Sequence, residues 1–435
     1  MVMVGVGGSI GTGLFLGAGE AARIAGPAVI LSYVLGALIT ATVAAALSEL
    51  ASAHPEAGSF GVYGEIYLNR WAGFVARYGY WFAVVTAVGG ELVAVAAYMH
   101  YWLPGTPAWI WVLAGSLLLL GLNLLTVGRF AWFESGLALV KVVVLAVFVA
   151  LGAGLLFAQR VPAQYLRGPG PSPFFPHGVS GMLFGVSLAL FSFLGVEMVA
   201  IAAGEARSKQ AVAHAVWRTF LVLSVAYLGA ITILVGVVPW HRLGVTESPF
   251  VTVFRVAHVP AVSALINFVV LTAALSGANA SFYVASRMLY SLAGAGQAPR
   301  VFGRLTAAGQ PRNALLASGL GMLVALVTSR LIPENAFLYI IGASLFGGMA
   351  AWLVTLAAHV RFRKRLNQAE LAALPLRSPL GVAGSVVGFA AIVLSLAATW
   401  HTMRVTLISG AIGMVLLTAA WKLRNDWRMN RGLPR

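Results

Sequence analysis

Long apolar stretches follow one another along nearly the whole chain, and short polar or basic segments separate them. A helix needs about 20 apolar residues to cross the hydrocarbon core of a bilayer. Twelve stretches come close to that length, so the pattern predicts an all-α membrane protein with 12 transmembrane helices. The predicted spans are residues 1–19, 25–50, 73–102, 108–127, 131–157, 179–204, 215–239, 259–291, 314–332, 336–360, 380–400 and 402–423.

Glycines interrupt the first predicted span, with five of them between residues 5 and 13. An unpaired backbone N–H or C=O group costs several kcal/mol in hydrocarbon, so a spanning helix is normally unbroken. A break is tolerated where the freed groups line a cavity and meet a polar ligand. Secondary transporters bind their substrates at such breaks near the bilayer midplane, and the glycine cluster therefore indicates transport.

A second segment of small residues, 192–197, interrupts the sixth span. Interrupted helices at matching positions of two halves predict an inverted repeat. Residues 1–157 would then form the first repeat and residues 179–360 the second, while residues 380–423 add two helices and residues 424–435 form a cytoplasmic tail. In the alternative interpretation, the small residues of the second segment do not break the helix and only allow close packing of helices through Gly195.

The composition agrees with a membrane protein, because 60% of the residues are hydrophobic and only 9% are charged. The absence of cysteine from the sequence excludes disulfides, thiol catalysis and thiolate metal sites. The net charge of +16 does not indicate nucleic acid binding, because the basic residues lie between the spans.

The basic residues also predict an orientation. With the loops assigned alternately to two sides, 20 of the 28 Lys and Arg residues share the side of the C terminus, 7 lie opposite, and Lys141 lies within a span. The positive-inside rule makes the first side cytoplasmic. We therefore expect a multi-pass protein of a bacterial-type plasma (inner) membrane with both termini in the cytoplasm.

Three segments outside the span pattern carry expectations of their own. The first span starts at residue 1 without a basic region before it, which argues against a signal peptide and favours a late start codon or a shortened chain. The five prolines of residues 160–178 predict an extended external connection. The basic run that opens residues 361–379 predicts either a cytoplasmic surface helix or only an anchor for the topology, and the second interpretation is preferred.

Ionisable side chains inside spans are costly, so each is a functional hypothesis. Lys141 either exchanges a proton, because desolvation favours a neutral amine, or serves as a fixed cation bonded to carbonyls at the helix break. Glu91 is expected to contact substrate or to orient a neighbour, and Glu197 to hold the unwound segment or to contact substrate. Glu134 is expected to face the cytoplasmic vestibule. Glu49 is expected to reach water in a structural role.

The two breaks together predict a binding site for a zwitterion. N–H groups at the start of a half-helix attract an anion, and the freed carbonyls of the sixth span attract a cation. An α-amino acid carries both charges. Of Phe191 and Phe193, one is expected to close over the ligand and the other to face lipid. The predicted substrate-binding residues are Ser9, Ile10, Gly11, Thr12, Gly13, Phe191, Ser192, Phe193, Leu194 and Gly195, and Ser276 and Asn279 are candidates for the side-chain pocket.

The chain also resembles the amino acid transporter family of the amino acid–polyamine–organocation superfamily. The resemblance rests on collinear segments that span nearly the whole chain. These segments are residues 8–17 with 25–28, 55–60, 132–142, 193–197 with 203–206, 271–276 and 286–299. The chain departs from the pattern of this family at two places. The cytoplasmic tail expected before the first span is missing, and Asn279-Ala280 stands in place of a common Asn-Ser pair.

This resemblance implies a five-plus-five inverted repeat of the LeuT type, with helices 1 and 6 broken, and import of amino acids coupled to protons. It implies that Ser9, Thr12 and Gly13 hold the substrate carboxylate. It implies further that Phe191, Ser192 and Leu194 hold the amino group, with Phe191 as a gate. Lys141 matches a lysine that stands in for a sodium ion.

The predicted function is therefore import of amino acids by proton symport with alternating access. Lys141, Glu91 and Glu197 are the predicted ion-coupling residues, and the proton is the only coupling ion, with no cofactor or metal. The mostly apolar pocket favours neutral substrates. The main alternative is a proton-independent exchanger or facilitator for amino acids or polyamines, followed by a nutrient sensor. An enzyme and an ATP-driven pump are disfavoured, because no catalytic constellation and no nucleotide-binding loop occur in the sequence.

Overall fold

The regular structure of the chain is helical. The computed structural model describes residues 2–53, 59–125, 130–169, 172–198, 209–307, 309–374 and 376–430. The helices are α1 (Val2–Ser9), α2 (Ala18–Ala25), α3 (Val29–Ala53), α4 (Ser59–Tyr67), α5 (Arg70–Met99), α6 (Ala108–Leu125), α7 (Phe130–Phe157), α8 (Gly178–Phe193), α9 (Lys209–Val237), α10 (Pro249–Val256), α11 (Pro260–Gly294), α12 (Arg312–Ser318), α13 (Leu320–Leu331), α14 (Ala336–Arg365), α15 (Gln368–Ala373), α16 (Gly381–Ala398) and α17 (Trp400–Asn430).

Eight helical stretches among the described residues are long and apolar enough to cross a bilayer. The first of them, Gly5–Ala53, covers the first two predicted spans. Three shorter apolar helices, Ala108–Leu124, Gly178–Phe193 and Leu407–Ala419, coincide with the fourth, sixth and twelfth predicted spans. The all-helical membrane architecture predicted from the sequence is therefore confirmed.

Helix α5 lies at the centre of the bundle. It packs against α4, α6, α11, α13 and α14, and most of its residues are buried. Glycines allow the closest approach: a Cβ atom on Gly89 would lie 2.7 Å from the carbonyl oxygen of Gly321, and a Cβ atom on Gly321 would overlap the carbonyl of Val85. Small residues bring helix backbones together in this way in membrane proteins.

The outer surface of the bundle is apolar, as lipid contact requires. Helix α7 exposes Leu139, Val140 and Val143, while its Lys141 points inward and is 1% exposed. The segment between α7 and α8 contains turns and no helix in its described residues, and the extended external connection expected for residues 160–178 stays a prediction.

Glu49 lies in a buried ionic cluster near the end of α3. Arg363 of α14 donates from Nε and Nη2 to its two carboxylate oxygens, at 2.6 and 2.5 Å. The backbone N–H of Ser378 donates to the carboxylate at 2.5 Å, and His359 Nε2 lies 3.4 Å from it. Glu49 is completely buried. The expectation that it reaches water is therefore wrong, because Arg363 supplies its counter-charge inside the protein; the structural role fits these contacts.

The basic run at residues 361–365 belongs to the end of α14, so the predicted surface helix does not begin at Arg361. Cations in a last turn face the negative end of the helix dipole, which favours continuation of the helix. The short helix α15 follows. Its first turn is closed by a capping box, in which Asn367 and Glu370 each accept a hydrogen bond from the other's backbone N–H.

We expect Arg363→Met to lower the stability of the folded protein. Removing one partner of a buried ion pair leaves an uncompensated charge, which typically costs about 3–5 kcal/mol. The measurement is the apparent melting temperature of the purified protein in detergent.

Arg361→Met is the matched control, because Arg361 is exposed on the same helix. The double variant Glu49→Gln with Arg363→Met should recover part of the loss, since it leaves no unpaired carboxylate. Equal melting temperatures for the two single variants would contradict the assignment.

Candidate functional site

The predicted break in the first span is present. Helix α1 ends at Ser9, the chain bends at Ile10 and Gly11, and the helix resumes at Thr12. Residues Gly13–Gly17 form a π-helical turn before α2. Such turns often occur at functional sites. Ile10 itself is fully buried and belongs to the core.

The carbonyl groups freed at the end of α1 are bonded by side chains from two other helices. Lys141 Nζ of α7 donates to the carbonyl of Gly7 at 2.8 Å, and the Tyr227 hydroxyl of α9 donates to the carbonyl of Ser9 at 2.9 Å. The C-terminal end of a helix carries a partial negative charge that favours a cation. Lys141 therefore has the contact expected of a cation held at the break.

The N–H side of the break faces a carboxylate. The backbone N–H of Thr12 donates to Glu91 Oε1 of α5 at 3.1 Å. Two glycines make room for this carboxylate: a Cβ atom on Gly11 would overlap it, and one on Gly277 of α11 would lie 3.1 Å from its carbon. Glu91 is 8% exposed, and its Oε2 atom has no hydrogen-bond partner among the described residues.

The second break lies at the end of α8. Leu194 leaves the helical conformation, and Gly195 has φ +113°, a value that side chains disfavour. Glu197 accepts the N–H of Gly195 at 3.0 Å and the Nε1–H of Trp352 at 3.2 Å. Glu197 thus has the structural contact that was one of its two predicted roles. The motif at residues 203–206 lies outside the described residues, as do residues 55–58.

The two breaks pack directly against each other. A Cβ atom on Gly13 would lie 2.8 Å from the Cα atom of Ser192, and one on Gly195 would lie 2.7 Å from Ser9 Oγ. The Ser192 hydroxyl also lies 3.0 Å from the hydroxyl of Tyr33 on α3. Glycine is therefore required at both crossing points, because a side chain at either one would push the breaks apart.

A small cavity lies where the breaks meet α5. It offers about 40 Å³ to the centres of water-sized molecules, enough for about three waters. Its walls combine backbone of both breaks, a face of α5 and a few polar side chains. The lining residues are Gly8, Ser9, Gly11, Gly13, Tyr80, Ala83, Val84, Ala87, Glu91, Phe191, Leu194, Gly195, Glu197, Met198, Ser281 and Ser344.

Phe191 lines the cavity, whereas Phe193 does not. Phe193 is fully buried, and its ring centroid lies 5.1 Å from that of Tyr227. The expectation that one of the two rings faces lipid is wrong, because α8 ends inside the bundle and is surrounded by protein on all sides there.

Several predicted site residues do not line the cavity. Thr12, Ser192 and Lys141 are buried behind the breaks. Ser276 is buried on α11, and the side chain of Asn279 accepts a hydrogen bond from Asn123 at 2.6 Å. The side chain of Glu134 lies outside the described residues.

The sequence reasoning missed several polar groups of the site. Tyr33, Tyr227 and Trp352 hold the breaks, while Tyr80 and Ser344 line the cavity. Each of these residues is an isolated polar position in an apolar helix, and none belongs to a recognisable sequence motif. The only signal was a polar group at a depth where polar groups need a partner.

Known proteins resemble this chain along nearly its whole length. The family model described as Amino acid permease matches residues 1–421. The uncharacterized amino acid permease YtnA of Bacillus subtilis is 34% identical over 426 residues, which are 96% of this chain and 92% of that protein. The gamma-aminobutyric acid permease of the same organism is 34% identical over 430 residues, with 96% and 91% covered.

The amino-acid permease RocC of Bacillus subtilis is 36% identical over 409 residues, which are 89% of this chain and 85% of that protein. The family resemblance inferred from the sequence motifs is thereby confirmed. Helices long and apolar enough for a bilayer, two broken helices in contact, and a match over 421 residues lead to one conclusion. The chain belongs to the amino acid permease family and is a multi-pass membrane protein.

Proposed function

We propose that this protein imports amino acids across the plasma membrane by proton symport with alternating access. The observation that carries the proposal is the contact between two helix breaks beside one small, largely buried cavity. Backbone groups of both breaks line it, and a carboxylate lies at its edge. Relatives named as amino acid permeases support the substrate class.

The proposed architecture has 12 membrane helices, of which residues 1–157 and 179–360 form two inverted repeats of five. The support is the coincidence of each predicted span with a helix, and the breaks in the first and sixth of them. Residues 380–423 would supply the last two helices, and the charge distribution favours cytoplasmic termini.

In the proposed complex, the substrate carboxylate lies at the first break, near Ser9 and Gly13 and the N–H groups that follow. The substrate ammonium lies at the second break, near the backbone of Phe191, Ser192 and Leu194. Phe191 closes the cavity, since its ring already lies at the cavity wall. The present cavity is too small for most amino acids, so binding requires the breaks to separate.

The coupling ion is proposed to be a proton, with Lys141, Glu91 and Glu197 as the groups that respond to it. All three are buried and contact the backbone of a break. The alternative is a proton-independent exchanger or facilitator for amino acids or polyamines on the same fold. The bond from Lys141 to the Gly7 carbonyl fits that alternative as well, because a fixed cation would make the same contact.

The first experiment is uptake of a panel of radiolabelled amino acids into proteoliposomes. We expect one or a few amino acids to accumulate when an inward proton gradient is imposed, because import would then draw on the gradient. Vesicles without protein and vesicles without a gradient are the controls. Uptake that appears only in preloaded vesicles and ignores the gradient would favour the exchanger.

We expect Lys141→Ala to abolish accumulation, because the Gly7 carbonyl loses its partner and the site loses a positive charge. Val140→Ala is the control, since Val140 is the exposed neighbour on the same helix. Lys141→Gln separates the two effects, because it keeps a donor and removes the charge. Concentrative uptake by Lys141→Ala would contradict the coupling role.

We expect Gly13→Val to abolish substrate binding and Gly13→Ala to weaken it, because a side chain there overlaps the second break. The readout is the concentration dependence of uptake. Gly17→Ala is the matched control, because its Cβ atom would lie 3.6 Å or more from the neighbouring atoms, which is an ordinary contact. Unchanged affinity in the Gly13 variants would refute this placement of the site.

A further inference from the structure

The charges that face the cavity are unbalanced. Two carboxylates, Glu91 and Glu197, line it, and the lining residues that the structure describes include no Lys, Arg or His. Both glutamates are more than nine-tenths buried. Buried charges are tolerated in proteins when they are paired or hydrogen-bonded. The partners of each carboxylate therefore decide whether it needs a further positive charge.

The two carboxylates differ in their partners. Each oxygen of Glu197 accepts a hydrogen bond, from the Gly195 N–H and from Trp352. Glu91 accepts at Oε1 from the Thr12 N–H, and its Oε2 atom has no hydrogen-bond partner in the described part of the chain. A buried acceptor without a donor is destabilising, particularly on a charged group. The vacant position on Glu91 therefore fits a ligand that brings a donor.

The titratable groups around Glu91 do not remove the imbalance. Among the described residues these are Lys141 of α7, Tyr98 of α5 and Tyr227 of α9. The tyrosines are neutral, so Lys141 provides one positive charge against two carboxylates. An amino acid zwitterion adds no net charge. One further positive charge is needed for balance.

The shape of the cavity allows that charge to belong to a substrate. Val84, Ala87 and Glu91 lie on one face of α5, because residues three and four positions apart share a helix face. With Ala83, they form a wall of small side chains that leads from Glu91 along the cavity. A substrate side chain could follow this wall once the breaks separate.

We propose that Glu91 Oε2 takes up one positive charge in each transport cycle, from one of two sources. With a neutral amino acid the charge is a proton, which enters from the outside and leaves on the inside. With a cationic amino acid it is the side-chain ammonium, and no proton is carried. This inference rests on the proposed transport function. It states that Glu91 binds either a proton or the positive charge of the substrate side chain in one cycle, and not both.

The test measures protons and substrate together in proteoliposomes that contain a trapped pH-sensitive dye. Neutral amino acids and lysine are supplied separately, with an inside-negative potential set by a potassium gradient and valinomycin. We expect about one proton to enter with each neutral amino acid and none with lysine. The potential should stimulate both, since one positive charge moves in either case.

The variant Glu91→Gln removes the acceptor charge while keeping the size of the side chain. We expect neutral amino acids to exchange across the membrane without proton entry, and lysine uptake to fall at least about tenfold, as is common when a buried charge pair is broken. Glu370→Gln is the matched control, because Glu370 is exposed and glutamine preserves its capping interaction.

The outcomes separate this inference from the function on which it rests. If no amino acid is transported by the unchanged protein, the proposed function fails and the inference falls with it. If neutral amino acids are transported and lysine is not, or if protons accompany lysine, only the inference is overturned. Lysine uptake that survives Glu91→Gln would also overturn it, and a melting temperature in detergent equal to that of the unchanged protein shows that the variant is folded.

Discussion

A backbone break inside an apolar bundle needs partners for its polar groups, from the protein or from a cavity it lines, and the arrangement of the site follows from that constraint. Helix α1 ends at Ser9 in the interior. Its carbonyls are bonded by Lys141 and Tyr227, and the N–H of Thr12 is bonded by Glu91. Three helices that are far apart in the chain therefore meet at one break.

The same constraint explains the glycines. Two unwound segments can exchange contacts only if their backbones approach closely, and a single Cβ atom at Gly13 or Gly195 would prevent this. The glycine cluster in the sequence is thus a requirement of packing as well as of flexibility. Gly11 and Gly277 add a further reason, since they leave the space that the Glu91 carboxylate occupies.

The membrane class, the positions of the helices and the first break could be predicted from the sequence, because apolar length and glycine clustering are local properties. The pairing of side chains could not. The sequence predicts contact with water for Glu49, because its counter-charge, Arg363, is 314 positions away in the chain and no local pattern links the two. The hydrogen bond between Asn123 and Asn279 and the contact between the rings of Phe193 and Tyr227 also join distant parts of the chain. Sequence patterns indicate the depth of a residue in a bilayer, but the neighbouring helix decides what a polar group there is bonded to.

The partners of the first break also limit how it can move. The proposed alternating access requires the breaks to separate, and any movement of the first break relative to α7 or α5 would part the Gly7 carbonyl from Lys141 or the Thr12 N–H from Glu91. Each loss leaves a polar group without a hydrogen-bond partner in a low-dielectric interior, where the group needs a replacement partner. Substrate and water are the species that can provide one. A break whose bonds are made by side chains of other helices is therefore coupled to its ligand, because the backbone cannot satisfy itself when those helices move away.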